Sequence, residues 1–554
     1  MFYGLRGTQL NIAIAVVGGV DFALFGYDQG VAGGLLTLSS FLGLFPQLDT
    51  ANPPDGDGAK ASNIQGITVG GYTLGCFFGA VATIWLGNML GRKMTIIVGS
   101  TIMVVGAALQ ASSFSLGQLI ASRLITGFGN GMNTSTVPTW QAETSKSHRR
   151  GQMVMIEGSL IVFGVMLSYW IDLGFSFLEP SSIAWRFPIA FQIVMALFIL
   201  AVIPGLPESP RWLVLKGRHR EALEVLCALS DLPEDDPVIQ NEYKTVVDTV
   251  QEMAKGSFSD CFAQNNNRNL HRTVLGYVNQ MFQQISGINI ITYYVPTIFQ
   301  QSIGLPDFIS RLLAACCGTE YFLASLIAIF TIEKLGRRTL MLVGAIGQSL
   351  TMVALAACTS HLNSQSGIAA ALFIFVFNSF FAFGWLGMTW LYPAEVTPLS
   401  IRAPANAIST TANWIFNFMV VMITPVAFNS IGYKTYVVFA VINAFMVPCV
   451  YFFFPETAYR SLEEMDEIFQ EVHGLRGALD VVKVARTKPH RYGKGGELLI
   501  GYEETDTAAR RRSSIAAAAT SKGGDAEKGQ RYAPHAMLAS AVSPLESVVV
   551  RIPD

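Results

Sequence analysis

Charge is scarce in this chain. Lys, Arg, Asp and Glu make up 14% of its 554 residues, and 51% are hydrophobic. A soluble domain typically carries about 25% charged residues. So apolar a composition excludes a disordered protein and fits an ordinary soluble enzyme poorly. Basic residues number 37 and acidic ones 39, so no positive excess is present to attract nucleic acid. Cysteines number seven, and the nearest two, Cys316 and Cys317, are adjacent. That spacing excludes a disulfide framework and points to free thiols without structural zinc. The seven histidines are scattered, and no GxSxG, Walker A or HExxH run occurs. No catalytic group set, ATP-driven motor, metal or cofactor is therefore expected.

What the chain has in quantity is long apolar runs. A membrane-spanning helix needs roughly 20 mainly apolar residues. Twelve such stretches occur, at about 11–36, 64–86, 94–111, 117–141, 152–173, 184–205, 271–299, 311–332, 339–358, 367–392, 404–427 and 435–454. The opening MFYGLRGTQLN leads straight into the first of them, which reads as a membrane helix acting as its own signal. Basic residues fall on alternate loops: Arg92–Lys93, Lys146 with Arg149–Arg150, the 206–272 segment, and Lys334 with Arg337–Arg338. By the positive-inside rule both termini are then cytoplasmic. The outer loop near 37–63, with NPPDGDG, reads as a surface turn region.

The chain repeats itself. LGRK at 90–93 returns as LGRR at 335–338, an offset of 245. Ala142-Glu143 followed by Arg150 returns as Ala394-Glu395 followed by Arg402, an offset of 252. PESPR at 207–211 returns in part as PETAYR at 455–460, an offset of 248. Three motifs in one order at nearly one offset mean a duplicated six-helix unit. The expected fold is an all-α membrane protein, twelve transmembrane helices in two pseudo-symmetric halves. Its parts are a cytoplasmic N-terminus (1–10), a first half (11–205), a cytoplasmic helical linker (206–270), a second half (271–454) and a cytoplasmic tail (455–554). In the linker, Ile239, Tyr243, Val246, Val247 and Val250 form a helical stripe, read as an amphipathic helix lying under the membrane. In the tail, Leu462, Met465, Ile468, Phe469 and Val472 form another. Beyond about 480 the tail reads as disordered, with RRRSS at 510–514 open to phosphorylation or trafficking.

Ionisable groups within a membrane cost about 2.5–3.5 kcal/mol each, so each calls for a reason. Asp21 and Asp28, seven apart, share a face of the first helix, and Arg123 lies on the fourth. Protonation of Asp28 would break an Asp28–Arg123 pair, a switch linking proton binding to helix position; the alternative is a static pair that locks packing. Glu157 and Glu320 are further buried candidates. On the seventh helix Gln283, Gln284 and Asn289 supply amides that donate and accept together, which suits vicinal hydroxyls. Tyr293 and Tyr294, with Trp390 on the tenth helix and Asn413-Trp414 on the eleventh, add flat apolar faces and one more amide. The alternative is polar glue between helices.

In order, FGYD, LGRK, PESPRW, QQISGIN, EKLGRR, YPAE and PET-x-x-R-SLEE resemble the sugar porter family of the major facilitator superfamily, over about residues 15–470. GMNTSTVPTWQAE, EGSLIVFG and SYWIDLGF resemble the fungal branch containing glycerol/proton symporters. The resemblance implies that Gln283, Gln284, Asn289, Trp390 and Asn413 contact substrate, and that Asp28 and Arg123 couple protons. It implies a cytoplasmic gate network of Arg92, Glu143, Arg150, Glu208 and Arg211, with Arg337, Glu395, Arg402 and Glu456. The chain departs from the family pattern in having Gly158 beside Glu157, Tyr321 and Asn413 where Gln, Asn and Gln are usual, and Asn88-Met89 in place of Asp-Arg. These changes leave room for a polyol. The expected function is a plasma-membrane importer of a monosaccharide or polyol, driven by protons, whose partners are the solute, protons and the lipid bilayer. A uniporter, a sugar sensor and an exporter of a small hydroxylated metabolite are the alternatives.

Overall fold

The computed structural model describes residues 4–144, 150–254, 256–361, 363–460, 462–472 and 477–489. The RRRSS motif and the tail beyond 489 lie outside them. The described part is helical almost throughout. Its twelve long elements are α1 (Gly7–Leu35), α2 (Gly58–Leu90), α3 (Arg92–Ala111), α4 (Leu116–Thr144), α5 (Arg150–Ser176), α6 (Ile183–Val202), α7 (269–302, interrupted), α8 (Asp307–Leu335), α9 (Arg337–Ser360), α10 (Ser364–Gly384, resuming as Met388–Val396), α11 (Arg402–Ile431) and α12 (Lys434–Phe453). Among the described residues, ten helical segments are long and apolar enough to cross a membrane on length and composition alone. Those spans leave out α4 and α7, which spend apolar positions on amides, hydroxyls and Arg123.

Two expected continuous spans are broken. The seventh, expected over 271–299, passes through a wide turn at Gln284–Ile288, where Gly287 takes φ 102. A side chain is disfavoured at that angle, so Ser-Gly in the apolar run marks the interruption. The tenth, expected over 367–392, stops at Gly384 and restarts at Met388.

The duplication is visible in tertiary contacts. Asn130 of α4 donates to the Cys76 sulfur of α2 at 3.4 Å, and Asn378 of α10 donates to the Cys317 sulfur of α8 at 3.1 Å. Gly91 and Gly336, at φ 86 and 83, make the matching tight turns between α2 and α3 and between α8 and α9. A Cβ on either would stand 2.6 Å from a carboxylate oxygen, of Glu208 or of Glu456. All seven cysteines are free.

One expectation changes on the loops. The linker forms helices Pro210–Leu215, His219–Ser230 and Pro237–Ala254. Of its stripe, Tyr243, Val246, Val247 and Val250 pack against a cluster that includes Trp212 and Leu213, and Ile239 is fully buried. The 37–63 loop is a surface turn only in its second half. Ser39–Leu44 is helical, and Phe41 and Phe45 set their rings on Trp185 at 5.5 and 5.9 Å. After Pro455, Met465, Ile468, Phe469 and Val472 are buried, and fully buried Arg272 at the start of α7 pairs with Asp466.

The halves meet along α1–α7, α2–α11 and α5–α8. Opposite the linker, which we term the far face, they interlock. A Cβ on Gly33 of α1 would lie 2.7 Å from the Tyr293 carbonyl, and Tyr169 of α5 donates to the Thr292 carbonyl at 2.6 Å. On the linker side Met155 of α5 comes against Gly387 in the α10 break.

Candidate functional site

The two interrupted helices face each other, and their breaks build the site. An interrupted helix exposes carbonyls with no helical donor. Thr389 is such a case, since the residue four further on is Pro393, which has no N–H. Gln280 fills this vacancy from α7, its Nε2 2.8 Å from the Thr389 carbonyl. Asn279 donates to the Met388 carbonyl at 2.9 Å, and Gln283 to those of Trp385 and Leu386 at 3.1 and 3.2 Å. One face of α7 thus satisfies the broken stretch of α10.

The amides then join one another. Gln283 Oε1 accepts from Gln284 at 2.8 Å and from Asn413 of α11 at 3.2 Å. Asn289 donates to Gln284 Oε1 at 2.7 Å, and Asn413 also donates to Gln280 Oε1 at 2.6 Å. Such a relay fixes each amide's orientation before a ligand arrives. The glue and the lining are therefore the same residues.

Gln283, Gln284, Asn289, Trp390 and Asn413 line one cavity between the halves, partly open to solvent. Sequence reasoning did not single out the rest of its wall. Phe25 and Gln29 come from α1, Ile161, Val162 and Val165 from α5, Ile288 and Thr292 from α7, and Tyr321, Phe381 and Leu386 from α8 and α10. Tyr321 stood out only as a departure from the family pattern. The apolar members carry no signal, because one apolar residue in an apolar helix looks like any other. Amide edges facing flat apolar walls suit a small solute with hydroxyls and C–H faces.

Three expected residues lie behind the wall. Trp414 is about 100° round the helix from Asn413 and sets its ring edge-on to Phe25, with centroids 5.2 Å apart. Tyr294 turns to α11 and donates to the Val421 carbonyl at 2.9 Å. Tyr293 is fully buried in the seam where α7 meets Gly33, and Thr292 lines the cavity in its place.

Beside the cavity, Asp28 and Arg123 are both buried, with Oδ1 and the nearer guanidinium nitrogen 3.9 Å apart. Neither Asp28 oxygen has a hydrogen-bond partner. Arg123 also donates to the Val69 carbonyl at 3.3 Å and lies over the Tyr72 ring, 5.6 Å from its centroid. The attraction is coulombic, with no hydrogen bond holding the two groups.

The linker face carries two matching networks, each inside its own half. Arg92 donates to Glu143 at 3.0 Å, as does the Ser209 hydroxyl at 2.5 Å. Glu208 accepts the backbone N–H groups of Arg92, Lys93 and Ser209 at 3.0, 3.1 and 2.8 Å. Burial pushes its carboxyl above the ordinary range, against those donors. In the second half Arg337 donates to Glu395 at 3.1 Å, Thr457 to the same carboxylate at 2.6 Å, and Glu456 accepts the N–H groups of Arg337 and Arg338 at 2.8 and 3.0 Å. Arg402 donates to the Thr397 carbonyl at 3.1 Å. Arg211, expected in the first network, makes no hydrogen bond or ion pair among the described residues; the neighbouring Ser209 reaches Glu143. The Arg150 side chain lies outside the described residues.

Known proteins match this architecture. Residues 12–469 match the family described as sugar (and other) transporter. The sugar transporter STL1 of Saccharomyces cerevisiae is 41% identical over 478 residues, 85% of this chain and 83% of that one. The MFS-type transporter oryC of Aspergillus oryzae is 40% identical over 500 residues, 89% and 91% of the two chains. The proton:xylose symporter XylE of E. coli, solved with 6-bromo-6-deoxy-D-glucose, shares the fold at TM-score 0.71 and 23% identity, over 84% of this chain and 100% of that one. These relatives are transporters and not enzymes. Twelve helices in two matching halves, a polar cavity between them and these matches over most of the chain lead to one conclusion: this multi-pass membrane protein belongs to the sugar porter family of the major facilitator superfamily.

Proposed function

We propose that the protein imports a monosaccharide or polyol together with protons, by alternating access across the plasma membrane, with both termini cytoplasmic. The observation that carries this reading is the amide relay lining the cavity. Gln283, Gln284, Asn289 and Asn413 present amide edges to a space between two halves that can rock about it. Trp390 and Phe25 cover the solute's C–H faces. Asp28 is the coupling carboxylate. Once it binds a proton its attraction to Arg123 ends, and α1 and α4 become free to shift. The linker-face networks of Glu143 and Glu395 hold each half rigid as it moves. The printed names of relatives and of the fold neighbour, a sugar transporter and a proton:xylose symporter, support this reading.

The test is uptake of labelled hexoses, pentoses and polyols in transport-deficient cells, with and without a protonophore. Accumulation above the external level that collapses with the protonophore is the expected result. Saturable uptake that only equilibrates and ignores pH would make the protein a uniporter.

A further inference from the structure

The function proposed above uses Asp28 and leaves its neighbour on the same face of α1 unexplained. Asp21 is 1% exposed and lies two turns from Asp28 toward the linker. Its Oδ1 accepts from Asn133 Nδ2 of α4 at 2.7 Å, and that nitrogen also lies 2.9 Å from the Ser100 hydroxyl oxygen of α3. Asp21 Oδ2 is buried with no hydrogen-bond partner, and so is Asn133 Oδ1.

The charged groups on the elements around α1 include Arg92 and Lys93 of α3, Arg123 and Glu143 of α4, Glu157 and Asp172 of α5 and Arg186 of α6, with His219, Arg220, Glu221 and Glu224 on the linker helix at its base and His271 and Arg272 at the start of α7. Among the described residues none makes an ion pair or hydrogen bond with Asp21. Arg92 serves Glu143, Lys93 caps the Pro204 and Leu206 carbonyls, Arg123 faces Asp28, and Arg186 holds the Ala111 and Ser113 carbonyls. The nearest titratable groups along α1 itself are Tyr27 and Asp28, and Tyr27 donates to the Pro188 carbonyl. The two aspartates therefore stand in unlike surroundings. Asp28 has a guanidinium to balance its charge, and Asp21 has one amide. A buried carboxylate without a cation is far costlier than the neutral acid.

We infer that Asp21 is a second proton-binding carboxyl of the transport cycle, neutral in this conformation, with the proton on Oδ2. This inference rests on the proton-coupled reading. On turnover the Oδ2–H bond breaks and the proton passes to water reaching α1 from the linker side. The carboxylate left behind keeps the Asn133 amide as donor and gains that water's hydrogen bonds. Returning the proton restores the state seen here. Asp21 is thus the exit-side partner of Asp28, on one helix face.

The test uses full-length protein in proteoliposomes, with Asp21→Asn beside Asp28→Asn and the unaltered chain. Asn keeps the size and polarity of a neutral Asp, so a permanently protonated, structural Asp21 would give Asp21→Asn an unchanged pH profile. The expected result is that Asp21→Asn keeps solute counterflow within about twofold of the unaltered chain, a factor near 0.4 kcal/mol. Its uptake loses one of the inflections against pH, and its infrared difference spectrum on a pH step lacks one protonated-carboxyl band. A pH profile and band set identical to the unaltered chain would overturn the inference. If the variant fails to fold, Asn133→Leu serves instead: removing the Oδ1 donor should move the same inflection, and an unmoved one overturns the inference equally. Pumping that is absent from the unaltered chain itself would refute the symport reading, a failure distinct from that of Asp21.

Discussion

Arg311, at the start of α8, grips Thr37, just past the end of α1. Its Nε lies 2.9 Å from the Thr37 hydroxyl and a terminal nitrogen lies 2.5 Å from the Thr37 carbonyl. The guanidinium also faces Glu179 at 3.5 Å, in the loop after α5. One side chain of the second half therefore holds two segments of the first on the far face, where the proposed import cycle requires the halves to part. A charge-assisted hydrogen bond contributes about 1.5–3 kcal/mol. Arg311→Gln should shift the balance toward far-open states roughly tenfold or more. Spin labels at exposed Ala51 and Lys434 would show the longer distance gaining population. Unchanged distance distributions would mean the contact only decorates the closed state.

The amide relay makes a graded expectation. Asn413→Ala removes a donor from Gln283 and Gln280 and an amide from the cavity wall, yet leaves the α10 break held by α7. It should raise KM about tenfold, near 1.4 kcal/mol, with kcat changed less. Gln283→Ala also strips the donor from the Trp385 and Leu386 carbonyls, so KM and kcat should both suffer. Uptake kinetics of the two variants, at matched surface expression, distinguish these patterns.

Asp28→Asn should keep counterflow exchange and lose uphill accumulation. The pair in question is 3.9 Å apart with no hydrogen bond, so losing the charge disturbs packing little, and Arg123 retains the Val69 carbonyl and the Tyr72 ring. Accumulation that survives in Asp28→Asn would show that the coupling carboxylate lies elsewhere.

Glu208 gives a pH dependence of stability. Burial holds its carboxyl above the ordinary range in the folded protein. The folded state then binds this proton more tightly than the unfolded chain does. The contribution is complete below the unfolded-state value and is lost as pH rises through the folded-state value. Thermal unfolding in detergent, compared between roughly pH 5 and 8, should show Tm falling with pH more steeply in the unaltered chain than in Glu208→Gln. Parallel slopes would remove Glu208 as the source.

The legible parts of this fold are those written in long or repeated patterns. Apolar runs of membrane-spanning length located all twelve helices, because backbone groups in lipid must be satisfied within a helix. The repeated LGRK and LGRR, and the paired Glu143 and Glu395, located the two halves and their turns. The amides of the site were legible too, since polar groups stand out where burial is costly. The apolar wall was not, and neither was the difference between Tyr293 and Thr292, which depends on how α7 rotates past its Gly287 break.

By itself the sequence determined the class of molecule, its duplication and the amide chemistry of its centre, because hydropathy and polar exceptions to it are local properties of the chain. Tertiary structure alone decided which of those polar groups met. It gave Asp28 a guanidinium and Asp21 only an amide, turned Trp414 behind Phe25, and set Ser209 rather than Arg211 against Glu143. Partners of that kind are fixed by where two helices cross, and a crossing is a relation between distant segments that no single stretch of residues encodes.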